Sequence, residues 1–240
     1  MNKQLKQYES SKLFYSEFLY KLEFRNELNT IFRSELQKKE ELSYARDMLD
    51  TMTEQYRNNQ PLIKQAFRSE IPVELDDYID AMTLYRTLKT NNEYKLRIDP
   101  GCLVTLFSNN KNFLLDLANK LTTAYINFHQ PNEAHIKLLT SKTKIQIVDK
   151  KPNLPIRIWF NSTRIDKEFG NWIRANQDKC KIGKIALESL ENYGYLNGLY
   201  MYLRDDKILN LVTLLAGQSI RSVEKLVYKG DIDKYKYGTE

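Results

Sequence analysis

The sequence predicts an α+β protein made of two tandem ferredoxin-like units of the βαββαβ type, the first carrying an inserted helical segment. Three observations support this. Stretches that alternate apolar and polar side chains, as half-buried strands do, are interleaved with segments whose apolar residues recur at helical spacing. The run GLYMYLRDDKILNLVTLLAG (198–217) echoes CLVTLFSNNKNFLLDLANKL (102–121), 96 positions earlier, each passing from a strand pattern through a polar turn into an apolar helix. Between the halves, KKPNLP (150–155) breaks every periodicity and is the natural linker. The expected division is 1–150 with helices inserted over about 35–89, then 151–230, then a loose polar tail at 231–240.

The elements follow in order. EFLYKLEFR (17–25) alternates as a strand, with Leu22 and Phe24 opposite Lys21 and Glu23. Ser34 and Gln37 have capping-box spacing, and Leu42, Ala45, Leu49, Met52 and Tyr56 share one helical face, predicting a helix over 35–57. Pro61 and Pro72 stand where helices start, so 61–69 and 73–89 read as two more. EYKLRID and CLVTLFSN flank Pro100-Gly101, a pair suited to a type II turn that would leave Cys102 buried in a strand. A helix follows over 111–126, and HIKLLTS and KTKIQIVD together offer one or two strands.

The second half opens with strand IRIWFN (156–161) and continues with helices near 165–176 and 182–192. Strand LYMYLRD (199–205), a helix over 206–216 closed by Gly217, and strand SVEKLVYK (222–229) complete it. One middle strand of the pattern is missing or hidden near GYLNG (194–198). The helix over 206–216 has so little polar face that it is expected to be sandwiched against the second sheet.

Bulk properties narrow the function classes. With 42% apolar residues the chain can bury a core. A net charge of +6, from 37 Lys+Arg against 31 Asp+Glu, permits an anionic partner without demanding one. Two cysteines, Cys102 and Cys180, form neither a metal motif nor a disulfide framework, as expected of an intracellular, cytoplasmic protein. The apolar run Ile208–Ala216 is too short to span a bilayer, which takes about 20 residues, so no membrane partner is expected. Abundant Tyr, Asn and Lys fit an AT-rich genome, such as that of a phage, virus, parasite or AT-rich bacterium.

Catalytic and cofactor signatures are absent. Neither GxxxxGK[ST] nor GxGxxG occurs, and no cofactor or metal is called for. His129 and His135, six positions apart with Pro131 between them, suit a surface loop better than a metal pair. Cys180, between Lys179 and Lys181, has no visible catalytic partner. Asp205-Asp206 suits a helix N-cap better than a cation site.

The feature most suggestive of function is distributed. In IRIWFN and LYMYLRD, the aliphatic residues alternate with Arg157, Trp159, Tyr200, Tyr202 and Arg204. If the aliphatic set faces helices, the opposite sheet face carries rings among guanidinium groups, with Lys225 or Lys229 joining from the last strand. Such a face stacks bases and meets phosphates in single-stranded DNA or RNA. Lys142 and Lys144, near Lys150 and Lys151, extend the basic path. The expectation is therefore a non-enzymatic nucleic-acid-binding accessory protein. The alternatives are an assembly protein acting through protein contacts, in which those rings meet a protein partner, and a metal-dependent nuclease using Asp205 and Asp206.

Overall fold

Alternation of large apolar and polar side chains lays down the sheets of the computed structural model, which describes residues 4–33, 42–66, 69–91 and 93–236. Among the described residues the architecture is mixed α+β, with eight α-helices and three sheets. The chain divides into two compact units, Met1–Asn132 and Glu133–Glu240.

The first unit runs β1 (Gln4–Ser10), β2 (Tyr20–Arg25), α1 (Ser43–Arg57), β3 (Ile63–Ala66), β4 (Ser69–Pro72), α2 (Leu75–Lys89), β5 (Lys95–Asp99), β6 (Leu103–Ser108), α3 (Lys111–Lys120) and β7 (Tyr125–Pro131). Its main sheet has the order β1-β7-β2-β6-β5. All neighbours are antiparallel except β1 and β7. Leu22, Phe24, Val104, Leu106, Ile126 and Phe128 form the inner face and are essentially inaccessible. Leu49 and Met52 of α1, Leu84 and Leu88 of α2, and Leu114 and Leu117 of α3 close the core over them.

The second unit runs α4 (Glu133–Leu139), β8 (Ile145–Val148), β9 (Ile156–Phe160), α5 (Glu168–Ala175), β10 (Cys180–Ile182), α6 (Lys184–Tyr193), β11 (Tyr200–Leu203), α7 (Asp206–Ala216), β12 (Ile220–Tyr228) and α8 (Ile232–Lys236). Its sheet order is β8-β12-β9-β11-β10, again antiparallel except for β8 and β12. Numbered along the chain within each unit, the five strands of both sheets lie in the spatial order first, fifth, second, fourth, third.

Several expectations are corrected. The described residues of 61–69 form no helix: β3 pairs with β4, and Pro72, which has no N–H to donate, occupies the last position of β4. HIKLL of the segment HIKLLTS lies in α4, where His135 and Leu139, four residues apart, are both buried. The strand missing from the second half is β10, well before GYLNG. Cys102 lies in the turn rather than a strand, since it and Gly101 both have positive φ, 63° and 74°. The helix over 111–126 ends at Lys120, and 125–131 is strand β7. The tail is not loose throughout, because α8 packs against α4 and buries Ile232. One side of α7 is covered, through Ile208, Val212 and Ala216, while Leu214 on the other is 86% exposed. Gly217 does stand at the C-cap of α7, as expected, with an ordinary helical φ, and it opens a 3-10 turn. The capping box at Ser34 and Gln37 lies outside the described residues, and the first helix, α1, begins at Ser43, after Leu42 in a left-handed conformation.

A β8 strand within the second unit also changes the reading of 150–155. The segment 149–155 connects β8 to β9, and β8 pairs with β12, so the strand before the breaker belongs to the same sheet as those after it.

Candidate functional site: the outer face of the second sheet

Period-two alternation decides which side chains this face carries. On β9, Ile156, Ile158 and Phe160 are buried against the helices, as are Met201 and Leu203 on β11. Arg157, Trp159, Tyr200 and Tyr202 therefore occupy the opposite face. Antiparallel pairing sets Tyr200 opposite Trp159 and Tyr202 opposite Arg157. The rings form a continuous row: Trp159 and Tyr200 have centroids 4.8 Å apart, Tyr200 and Tyr202 5.4 Å. Tyr200 is 41% exposed, while Trp159, Tyr202 and Arg157 are half-buried.

The electrostatics of the row are set by Glu224, which sequence reasoning missed. Arg157 Nε donates to Glu224 Oε2 at 2.9 Å, and its Nη2 donates to the same carboxylate and to Gln146 Oε1. Trp159 Nε1 donates to Glu224 Oε2 at 3.2 Å. The Arg157 guanidinium also lies 5.2 Å from the Trp159 ring centroid and 5.9 Å from that of Tyr200. This charge is thus matched at the centre of the face rather than offered to solvent. The signal for Glu224 was present in SVEKLVY: Val223 and Val227 mark the inner parity, which leaves Glu224 outside.

The other expected residues divide. Arg204 is exposed beyond β11, with Nε 3.3 Å from Asp205 Oδ2 and Nη1 3.7 Å from Asp178 Oδ2. Lys144 directly precedes β8, in the alternation that places Gln146 beside Arg157, and Lys142 stands in the exposed turn before it. Lys225 does not join the face: it pairs with Asp206 at 3.3 Å and shares the parity of Val223 and Val227. Lys229 lies past the end of β12. Lys181 of β10, opposite Tyr202, is exposed on this face and was not among the expected residues.

At the β10 side a cleft of about 310 Å³ opens, lined by Lys181, Ile182, Ile185, Leu199, Tyr200 and Tyr202 among others. It forms because the chain leaves the sheet at Gly183 to begin α6, so Tyr200 has no strand neighbour on that side.

The corresponding face of the first sheet is covered by its own chain. Phe107 is 2% exposed. The β1–β2 connection sets Phe14 at 5.6 Å from it, Tyr15 at 4.9 Å and edge-on, and Phe18 at 6.4 Å. Lys95 Nζ sits 3.8 Å from the Tyr15 ring centroid. Tyr15 and Ser16 both have positive φ, at roughly 1–2 kcal/mol each, a cost this ring seat offsets. Beside this patch, Glu23 binds Lys21 at 2.8 Å and His129 Nε2 at 3.1 Å. Burial tends to raise the Glu23 carboxyl, but Lys21 and His129 together hold it below its ordinary value. Burial, then the charge of Lys21, holds His129 below the usual imidazole range.

The histidine expectation is corrected: His129 is in β7 and His135 is buried in α4, neither in a surface loop. Cys180 lies in the core, its thiol pushed up to about 11 by burial. Asp205 caps α7 by accepting from the Ile208 N–H at 3.0 Å. Among the described residues no three His, Cys, Asp or Glu side chains are grouped to hold a metal ion, and no helix is long and apolar enough to cross a membrane. Comparison of the chain with protein-family models, curated proteins and solved structures finds no match.

Proposed function

We propose that the chain is a non-enzymatic, single-stranded nucleic-acid-binding protein built from two ferredoxin-like units, and that the outer face of the second sheet is its binding surface. The observation that carries this is the row Trp159–Tyr200–Tyr202 on the sheet face opposite the buried core, beside an open cleft. Bases stack on such rings with about 1–3 kcal/mol each and little sequence preference. Glu224, Gln146 and Arg157 supply hydrogen-bonding groups for base edges at the centre. Lys144 and Lys142 at one side and Lys181 and Arg204 at the other supply phosphate contacts. The shared strand order of the two sheets supports the two-unit reading, each unit adding one parallel edge strand to the four-strand pattern.

The test is fluorescence anisotropy with single-stranded DNA, single-stranded RNA and duplex, each at two salt concentrations. Single strands bind more tightly than duplex, binding weakens with salt, and Trp159→Ala and Tyr200→Ala each lose about tenfold. Equal binding of duplex, or ring variants that bind like the parent chain, rejects the proposal. A protein-contact role is the second reading, favoured by the pairing of Arg157 with Glu224, which removes positive charge from the centre. It predicts a defined complex with no salt-sensitive oligonucleotide affinity. The nuclease reading has no comparable support, since Asp205 serves as a cap and Asp206 pairs with Lys225.

A further inference from the structure

The two sheets place a ring and a lysine at equivalent points. On the first, Lys95 of β5 pairs with Phe107 of β6; on the second, Lys181 of β10 pairs with Tyr202 of β11. Each pair joins the third and fourth strands of its unit. In the first unit the pair is occupied, because Tyr15 stands edge-on to Phe107 and lies beneath the Lys95 ammonium. The ring that fills it comes from the connection between the unit's first two strands. In the second unit the equivalent connection, DKKPNLP (149–155), contains no aromatic residue. Tyr202 and Lys181 instead line the open cleft of about 310 Å³, with Ile182, Ile185 and Leu199 as apolar walls.

From this internal template we propose that the cleft receives one nucleobase of a bound single strand, held between Tyr202 and Lys181 as Tyr15 is held between Phe107 and Lys95. The proposal rests on the nucleic-acid reading and specifies where one base sits. The charge of the cleft favours a base on an anionic chain: among the described residues lining it, Lys181 is the only formal charge. Lys184 and Arg204, both exposed, lie close along the chain to the lining residues. A planar base set as Tyr15 is meets the Tyr202 ring edge-on and the ammonium over its own face by a cation–π contact, while its phosphate reaches the same lysine side.

Ile185 is 77% exposed, so Ile185→Trp places a ring of the chain's own at the cleft without disturbing the core. Lys181→Met keeps the apolar stem and removes the ammonium. Ile71→Trp, at an exposed position of the first unit, serves as control. Oligothymidylates of four to twelve nucleotides are titrated into the full chain and these variants, and the backbone amides of Lys181, Ile182 and Tyr202 are followed by NMR. The expected result is about tenfold weaker binding in Ile185→Trp and Lys181→Met, none in Ile71→Trp, and shifts of those amides in the parent chain. Oligothymidylate binding that is the same in all variants overturns the cleft assignment and leaves the nucleic-acid reading standing. No oligothymidylate binding at all overturns both. In that case, shifts of the same amides with N-acetyl-tyrosinamide would assign the cleft to an aromatic side chain of a protein partner.

Discussion

At the scale of single residues, the charges on the two outer faces are arranged in pairs that fix rings and strands together. Glu224 accepts from both Arg157 and Trp159, so it orients the ring row as well as balancing the guanidinium. Glu224→Gln keeps the shape but leaves Arg157 half-buried without its counter-charge. The expected loss is about 1–3 kcal/mol, reduced from the fully buried case by partial solvent exposure. Both tryptophans, Trp159 and Trp172, belong to the second unit, so the urea midpoint of tryptophan fluorescence measures it. On the nucleic-acid reading the same variant binds oligonucleotides more tightly, because Arg157 is then free to meet a phosphate. In the first unit, Glu23 and His129 both titrate below their ordinary values of 4.5 and 6.5. A depressed pKa means the unfolded chain takes up protons first, so the associated stability is present above the ordinary value and is lost on acidification. The first unit should weaken as pH falls from about 7, through His129, and again below about 4.5, through Glu23. Hydrogen exchange of β7 peptides at pH 7.5 and 5.5, corrected for intrinsic rates, measures this; His129→Gln should remove the upper part of the change. Of these residues the sequence showed the rings and Arg157 through alternation. The outward parity of Glu224 was legible too, but its meeting with Arg157, and that of Gln146, was not, because a strand pattern does not say which strands are neighbours.

Elements were more legible than their pairing. Strands and helices with strong periodicity stand where the alternation puts them, as for β2, β9, α2 and α7. Short elements failed: β3, β4 and β10 have three or four residues, too few for a period to show, and α4 is two turns that read equally well as a strand. The internal echo was off by one. Asn110 caps α3 and Asp205 caps α7, an offset of 95 positions rather than 96, and only 95 brings inward Leu106 onto inward Met201. Residue identity favoured the other register, but one step along a strand exchanges the core face for the outer face. At 95, outward Phe107 matches outward Tyr202, the correspondence on which the cleft argument depends. The caps give a prediction at this scale. Asn110 Oδ1 accepts from the Phe113 N–H at 3.0 Å, so Asn110→Ala should cost about 1 kcal/mol. Asn110→Asp should be neutral or slightly stabilising, as the second unit's aspartate cap implies, since a carboxylate suits the positive end of the helix dipole. Chemical denaturation of the two variants, followed by far-UV circular dichroism, separates these outcomes.

At the scale of the whole molecule, the two units have separate cores, one organised on Leu22, Phe24 and Phe128, the other on Ile158, Phe160 and Met201. Where the second begins has a physical consequence. The Pro-containing breaker at 150–155 reads as a boundary because it interrupts periodicity, yet a loop inside a unit interrupts it equally well. What settles membership is pairing that periodicity cannot show: β8 aligns Ile145–Val148 in parallel with Lys225–Tyr228. Ile147 is 5% exposed and Leu139 of α4 is 1% exposed, and α8 packs on α4. A chain starting at residue 151 would lose these contacts, leave Leu226 and Val227 on an unpaired edge and strip α8 of its partner. A chain starting at residue 133 would keep them all. The 133–240 fragment is therefore expected to unfold cooperatively, with native-like tryptophan fluorescence and a dispersed amide spectrum. The 151–240 fragment should unfold at least 10 °C lower or aggregate, since burial of Leu139 and Ile147 alone is worth roughly 3–6 kcal/mol and a small domain gains about 4–8 °C per kcal/mol. Equal melting temperatures for the two fragments would place α4 and β8 outside the cooperative unit and return the boundary to the breaker.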